Sequence, residues 1–202
     1  MIRLSRLLRA LPVLLLFALP ANAADGEQGA IRFIENLGRD AVTMLQAPEL
    51  TPDQRLEEFK KLLSEGFALN AIGRFTLGKN WRRASKAQRS RFLGLFERYV
   101  VSSYAKRLGD YEGETFEIDG ARDEGRNGTL VKTFVLRPGG EKLEVHWRVM
   151  AHKGAFKIVD VIIEGVSMSI TQRSEFSSFI SAKGGNIDAF LDELESKVSN
   201  KG

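Results

Sequence analysis

The sequence predicts an α+β fold, with helices packed on a twisted, mostly antiparallel sheet of four to five strands. Two observations predict it. Apolar residues recur at three- and four-residue steps up to about residue 109, and from Thr115 the period changes to two. The turns between the period-two segments, at Gly125-Arg126-Asn127-Gly128, Pro138-Gly139-Gly140 and Lys153-Gly154, are short enough to demand antiparallel neighbours.

Ahead of the first helix, Arg3, Arg6 and Arg9 precede an apolar stretch from Leu11 to Leu19 and the small-residue site Ala21-Asn22-Ala23. This pattern predicts a signal peptide over residues 1–23, cleaved after Ala23, because the apolar stretch is too short to span a bilayer. The exported chain, residues 24–202, is expected to form one domain in the periplasm and to act as a monomer. Three of the 30 basic residues leave with the leader, so 27 face 26 acidic ones. A near-neutral exported chain gives no case for nucleic-acid binding. With no cysteine, disulfides, thiolate metal sites and cysteine nucleophiles are excluded.

In the first helix Ala30, Ile34, Leu37, Ala41 and Met44 share a face, and Pro48 ends it. The second opens on the capping box Thr51 to Gln54, buries Leu56, Phe59 and Leu63, and stops near Gly66. A short piece follows through Ile72. The longest helix opens on the capping box Ser85 to Gln88, carries Phe92, Leu95, Phe96, Tyr99 and Val100 on one side, and ends at Gly109. Strands are expected near Thr115 to Ile118, Thr129 to Arg137, Lys142 to Ala151 and Ala155 to Glu164. In the third, Leu143, Val145, Trp147 and Val149 alternate with Glu144, His146 and Arg148, so one face is buried. The fourth is apolar at both parities, which predicts a strand buried on both faces. A helix capped by Ser169 then buries Phe176, Phe179 and Ile180, and a last one capped by Asn186 buries Ile187, Leu191, Leu194 and Val198.

Catalytic patterns are sparse. There is no phosphate-cradling loop, no dinucleotide glycine turn and no Gly-x-Ser-x-Gly elbow. Ser103-Tyr104-Ala105-Lys106 matches Ser-x-x-Lys, but without its companion elements it reads as a helix C-terminus. His146 and His152 share strand parity, yet six residues of strand hold them about 20 Å apart, too far to share an ion. Asp160 sits in an apolar strand and needs a structural partner if buried. From Lys79 to Arg107 nine basic residues face the single acid Glu97, which reads either as a solvated helix face or as a surface for anionic lipid headgroups or an acidic partner.

Leu77-Gly78-Lys79-Asn80-Trp81, the block Asp160 to Ser167, Arg173-Ser174-Glu175-Phe176 and Gly184-Gly185 together resemble the MlaC family, also known as toluene-tolerance proteins. The resemblance extends over nearly all of the exported chain. It implies an apolar cavity enclosed between sheet and helices, with bound phospholipid as cargo, no other cofactor, no metal and no catalysis. It also implies shuttling between an outer-membrane MlaA-like lipoprotein complex and an inner-membrane ABC transporter with an MlaD-like subunit, which maintains outer-membrane asymmetry. A hopanoid-associated lipid-binding protein is the alternative within the same motifs. An enzyme on a cone-like scaffold would need an acid and a base inside the pocket, and a pure interaction scaffold would need a filled core with an exposed apolar patch.

Two acyl chains of about fifteen methylenes each represent roughly 24 kcal/mol of burial at about 0.8 kcal/mol per CH₂, so a carrier has to offer a deep apolar lining. Apolar faces nominate Phe67, Phe75, Phe92, Phe96, Tyr99, Val145, Trp147, Val149, Val161, Ile163, Val166 and Met168 for that lining. Arg173 is expected to form a structural ion pair with Glu164 or Asp160, with a contact to a phosphate as the alternative.

Overall fold

A computed structural model describes residues 22–105, 108, 111–152 and 154–199. The leader expected over residues 1–23 therefore lies, apart from its last two residues, outside the described residues. Five helices come first: α1 (Asn22–Gln46), α2 (Pro52–Gly66), α3 (Leu69–Leu77), α4 (Lys79–Arg83) and α5 (Lys86–Ala105). The strands β1 (Thr115–Asp123), β2 (Thr129–Leu136), β3 (Lys142–His152), β4 (Ala155–Ile163) and β5 (Val166–Ser167) follow, then α6 (Met168–Ala182) and α7 (Ile187–Ser199). The strands lie side by side in chain order, every neighbouring pair antiparallel. This is the expected α+β fold, with a two-residue fifth strand at one edge. No helix among the described residues is long and apolar enough to cross a membrane.

The helix starts follow local chemistry. Thr51 and Gln54 exchange both capping-box hydrogen bonds at the head of α2, and Ser85 and Gln88 do the same for α5. Asn186 Oδ1 accepts the Ala189 N–H at the start of α7. The start of α6 differs from expectation: Ser167, not Ser169, is the cap, accepting the Ile170 N–H at 3.2 Å. The Ser169 N–H is instead taken by the Asp160 carboxylate of β4. Among the described residues helix α5 runs to Ala105, and the expected stop at Gly109 lies outside them.

Strand β4 corrects a second expectation. Arg148 pairs with Asp160 but the next residue, Val149, pairs with Ile158, so Val159 is an extra residue in a bulge. A bulge reverses the parity of the residues after it. Phe156 and Ile158 before it and Val161 and Ile163 after it therefore share one face, while Asp160 and Ile162 share the other. An apolar run that reads as two buried faces is one buried face with a kink.

Two hydrophobic clusters result. Val131, Val149 and Ile158 of the sheet pack against Ala30 and Ile34 of α1, with Phe67, Trp147, Phe156 and Val161 around them. On the helical side, Phe92, Leu95 and Phe96 of α5 pack with Phe176 and Ile180 of α6 and with Phe190, Leu191 and Leu194 of α7. The rings interlock edge to face: Phe176 stands 5.9 Å from Phe92 and 4.9 Å from Phe190. Arg91 is pinned outside this core by Asp192 and Glu195 of α7, and Arg98 lies 3.6 Å from Glu195.

Candidate functional site

The face of the sheet turned toward the helices can be followed strand by strand from the register. Val131 lies opposite Trp147 and Trp147 opposite Val161; Thr133 lies opposite Val145 and Val145 opposite Ile163. At the β1 edge, Phe116, Ile118 and Ala121 lie opposite Val135, Thr133 and Val131. No position of β2, β3 or β4 on this face carries a carboxylate or an amine.

Helix α1 shuts one half of the face. Gly29 lets it approach Phe156 so closely that a Cβ there would stand 2.7 Å from the ring, and a Cβ at Gly38 would overlap the Phe116 ring. Glu27 Oε1 accepts the Asp123 N–H at 2.8 Å and ties the start of α1 to the end of β1. Under this helix Val131, Val149 and Ile158 are sealed. The other half is less covered: Ile118, Val135, Leu143, Trp147, Val161 and Ile163 are each only partly buried. Beside it runs an open groove of about 870 Å³ between Glu35, Arg39, Val42, Thr43 and Gln46 of α1 and Thr115 to Ile118 of β1. That size falls in the range of about 300–1,000 Å³ usual for ligand pockets.

The Trp147 and Thr133 side chains on this face are satisfied within it. Trp147 Nε1 donates to Thr133 Oγ1 at 3.0 Å, and the Thr133 hydroxyl donates to the Val145 carbonyl at 2.9 Å. A satisfied tryptophan presents only its rings to whatever lies above it.

The twelve residues nominated from sequence do not form one set. Phe67, Val145, Trp147, Val149, Val161 and Ile163 belong to the sheet face or border it, Phe67 through a bridge to Ile158. Phe92, Phe96 and Tyr99 belong to the helical cluster, where burial pushes the Tyr99 phenol above its ordinary pKa. Met168 opens α6, half-buried, while Phe75 and Val166 are exposed on the outside. Phe116, Ile118, Val135 and Leu143 join the half-open face and were not nominated. Their parity with Val131 and Val145 was the available signal, and the bulge between Ile118 and Ala121 obscured it in β1.

The opposite face of the sheet is polar. Lys132 bridges Asp119 at 3.0 Å and Glu144 at 3.4 Å, His146 Nε2 lies 2.9 Å from Glu144, and Glu124 holds both Arg122 and Arg148 at 2.5 Å. The two guanidiniums hold the Glu124 carboxyl below its usual range. No group of three or more metal-ligating side chains is assembled among the described residues. Arg173 departs from expectation. Asp160 is taken by Ser167 and Ser169, and Glu164 accepts the Glu144 N–H, so Arg173 instead lies over the Phe75 ring at 5.1 Å.

Comparison with known proteins gives this geometry a context. A family model described as MlaC protein matches residues 35–196. The intermembrane phospholipid transport system binding protein MlaC of Haemophilus influenzae is 23% identical over 135 residues, covering 65% of this chain and 62% of the relative. The toluene tolerance protein ttg2D of Pseudomonas putida is 24% identical over 118 residues, covering 58% of this chain and 55% of the relative. The aligned segments thus span less than two thirds of either relative. A structure described as a phospholipid-binding protein from Ralstonia solanacearum in complex with a phospholipid superposes with a TM-score of 0.72 at 19% identity, covering 88% of this chain and 98% of that one. That likeness shows the shared fold.

Proposed function

Since the chain belongs to the MlaC family, we propose that it is a periplasmic phospholipid carrier that shelters acyl chains against the helix-facing side of its sheet. The observation that carries this reading is the half-covered apolar face over Trp147, where Trp147 and Thr133 are internally hydrogen-bonded and the β2, β3 and β4 positions hold no carboxylate. A hydrocarbon chain needs such a surface, and β2, β3 and β4 offer it no acid or base. The chain catalyses no reaction and needs no cofactor beyond its cargo.

In this reading the leader is removed after Ala23, and residues 24–202 form one lipid-binding domain. The loaded protein exchanges lipid with an outer-membrane lipoprotein complex and with the membrane-anchored subunit of an inner-membrane ABC transporter. The lining consists of Val145, Trp147, Val161 and Ile163 together with Ile118, Val135 and Leu143, and Phe67 and Val149 pack in the sealed half beside it. Phe92, Phe96 and Tyr99 hold the helical wall.

The test is mass spectrometry of organic extracts from protein purified natively out of the periplasm, with intact mass to read the mature N-terminus. Stoichiometric glycerophospholipid is expected. Hopanoid in its place would move the chain to a different cargo, and a folded protein with no lipid would overturn the carrier reading.

A further inference from the structure

On the outside of α3, α4 and α6, cationic and apolar side chains interleave. Ile170 and Val166 are 57% and 52% exposed at the start of α6, and Phe75 of α3 is 41% exposed. Arg173, one helical turn after Ile170, lays its guanidinium over Phe75 and beside Gly78, where a Cβ would stand 2.9 Å from Arg173 Nε. Next to Phe75, Arg74 lies 5.9 Å from the Trp81 ring, and Arg89 lies 5.4 Å from it. Lys79, Arg82 and Lys86 continue the exposed surface.

None of these cations has a carboxylate within ion-pair distance among the described residues. Four acids of α6 and α7 are engaged elsewhere. Asp192 and Glu195 hold Arg91, Asp188 accepts from Gln88, and Glu175 accepts from Gln172. The aromatic contacts of Arg74 and Arg173 leave their N–H groups free for oxygen acceptors.

We propose that this face docks the protein on an anionic bilayer, the cations meeting lipid phosphates while Val166, Ile170 and Phe75 enter the headgroup boundary. Charge complementarity supplies the first half of the argument. The second is that aliphatic side chains more than half exposed, set among unpaired cations, suit the interfacial layer, where apolar tips and charged neighbours are both solvated. An acidic protein partner would use the cations but leave Val166 and Ile170 unexplained. The position is also apt, since Val166 pairs with Ile163 on the less covered half of the sheet face. Docking rests on the surface alone and does not depend on the carrier reading.

The experiment is flotation of the full chain, with its native lipid content, on phosphatidylcholine vesicles with and without phosphatidylglycerol, at low and at high salt. Flotation only with the anionic vesicles, suppressed by salt, is expected. The Arg74→Glu/Arg173→Glu double variant should lose at least fivefold per site, and Val166→Asp/Ile170→Asp should float no better than background. Arg126→Glu, at the β1–β2 turn, is the control and should float like the parent. All five substituted side chains are exposed, and matched thermal melts verify folding. A parent that does not float, or double variants that float undiminished, would overturn the proposal. So would a parent that ignores vesicles but binds an acidic protein through these residues. Lipid content is measured in the same samples, so a protein that floats without cargo and one that carries cargo without floating are told apart.

Discussion

Asp160 Oδ1 accepts the backbone N–H of Ser169 at 3.0 Å, so a carboxylate in β4 closes the first turn of α6. Its other oxygen takes the Ser167 hydroxyl at 2.6 Å. The buried acid that looked misplaced in an apolar strand is the joint between sheet and helix. Replacing it removes a charged cap and leaves the Ser169 N–H unpaired. Asp160→Ala should cost about 2 kcal/mol in urea unfolding, and Asp160→Asn, which retains one acceptor, should cost less.

Two arginine substitutions on one sheet face should separate stability from binding. Val149 is sealed under α1 at 1% exposure, so Val149→Arg buries an unpaired charge and should prevent folding. Ile163 lies on the less covered half, where the long stem can carry its charge to solvent. Ile163→Arg should keep the parent's circular dichroism spectrum and lose co-purified lipid, and an unchanged lipid content would remove Ile163 from the lining.

Acid stability should depend on Glu124. Arg122 and Arg148 hydrogen-bond its carboxylate and depress its pKa in the folded protein. A depressed carboxyl contributes stability that is complete above its unfolded pKa and disappears as pH falls through the folded value. Glu124→Gln should therefore flatten the acid limb of the stability–pH profile, with its largest destabilisation at neutral pH and a shrinking difference toward low pH. A constant difference across that range would show that packing, not charge, holds the turn.

Gly94 sits in the middle of α5, exposed, with nothing within 4 Å of the position a Cβ would take. A helical glycine with open space around it only costs backbone entropy. Gly94→Ala should stabilise the protein by about 0.5–1 kcal/mol in chemical denaturation. A loss of stability would mean that α5 needs that flexibility.

Local signals were the legible ones. Thr51 with Gln54 and Ser85 with Gln88 mark helix starts because each capping box is complete within four residues. The turn glycines at 125, 128, 139 and 140 mark hairpins because each adopts a positive φ that other residues resist. Ser169 failed as a cap because the competing acceptor, Asp160, comes from nine residues upstream. Phe92 and Phe96 looked free to line a cavity because nothing near them in sequence reveals Phe176 and Phe190, which close over them.

The sequence by itself determined the order of the long helices and strands, the capping boxes of α2 and α5, the antiparallel meander and, through its motifs, the resemblance to the family. These depend on backbone chemistry within a few residues, or on patterns that survive without knowledge of neighbours. The tertiary structure alone decided which apolar residues are filled core and which are accessible lining. Val159 bulges only because β3 sets the register of β4, and that one inserted residue turns Val161 and Ile163 toward the helices. It also decided which cations stay unpaired: α7 neutralises Arg91, while no acid reaches Arg74 or Arg173 among the described residues. Pairing across the fold depends on distances the linear chain does not carry.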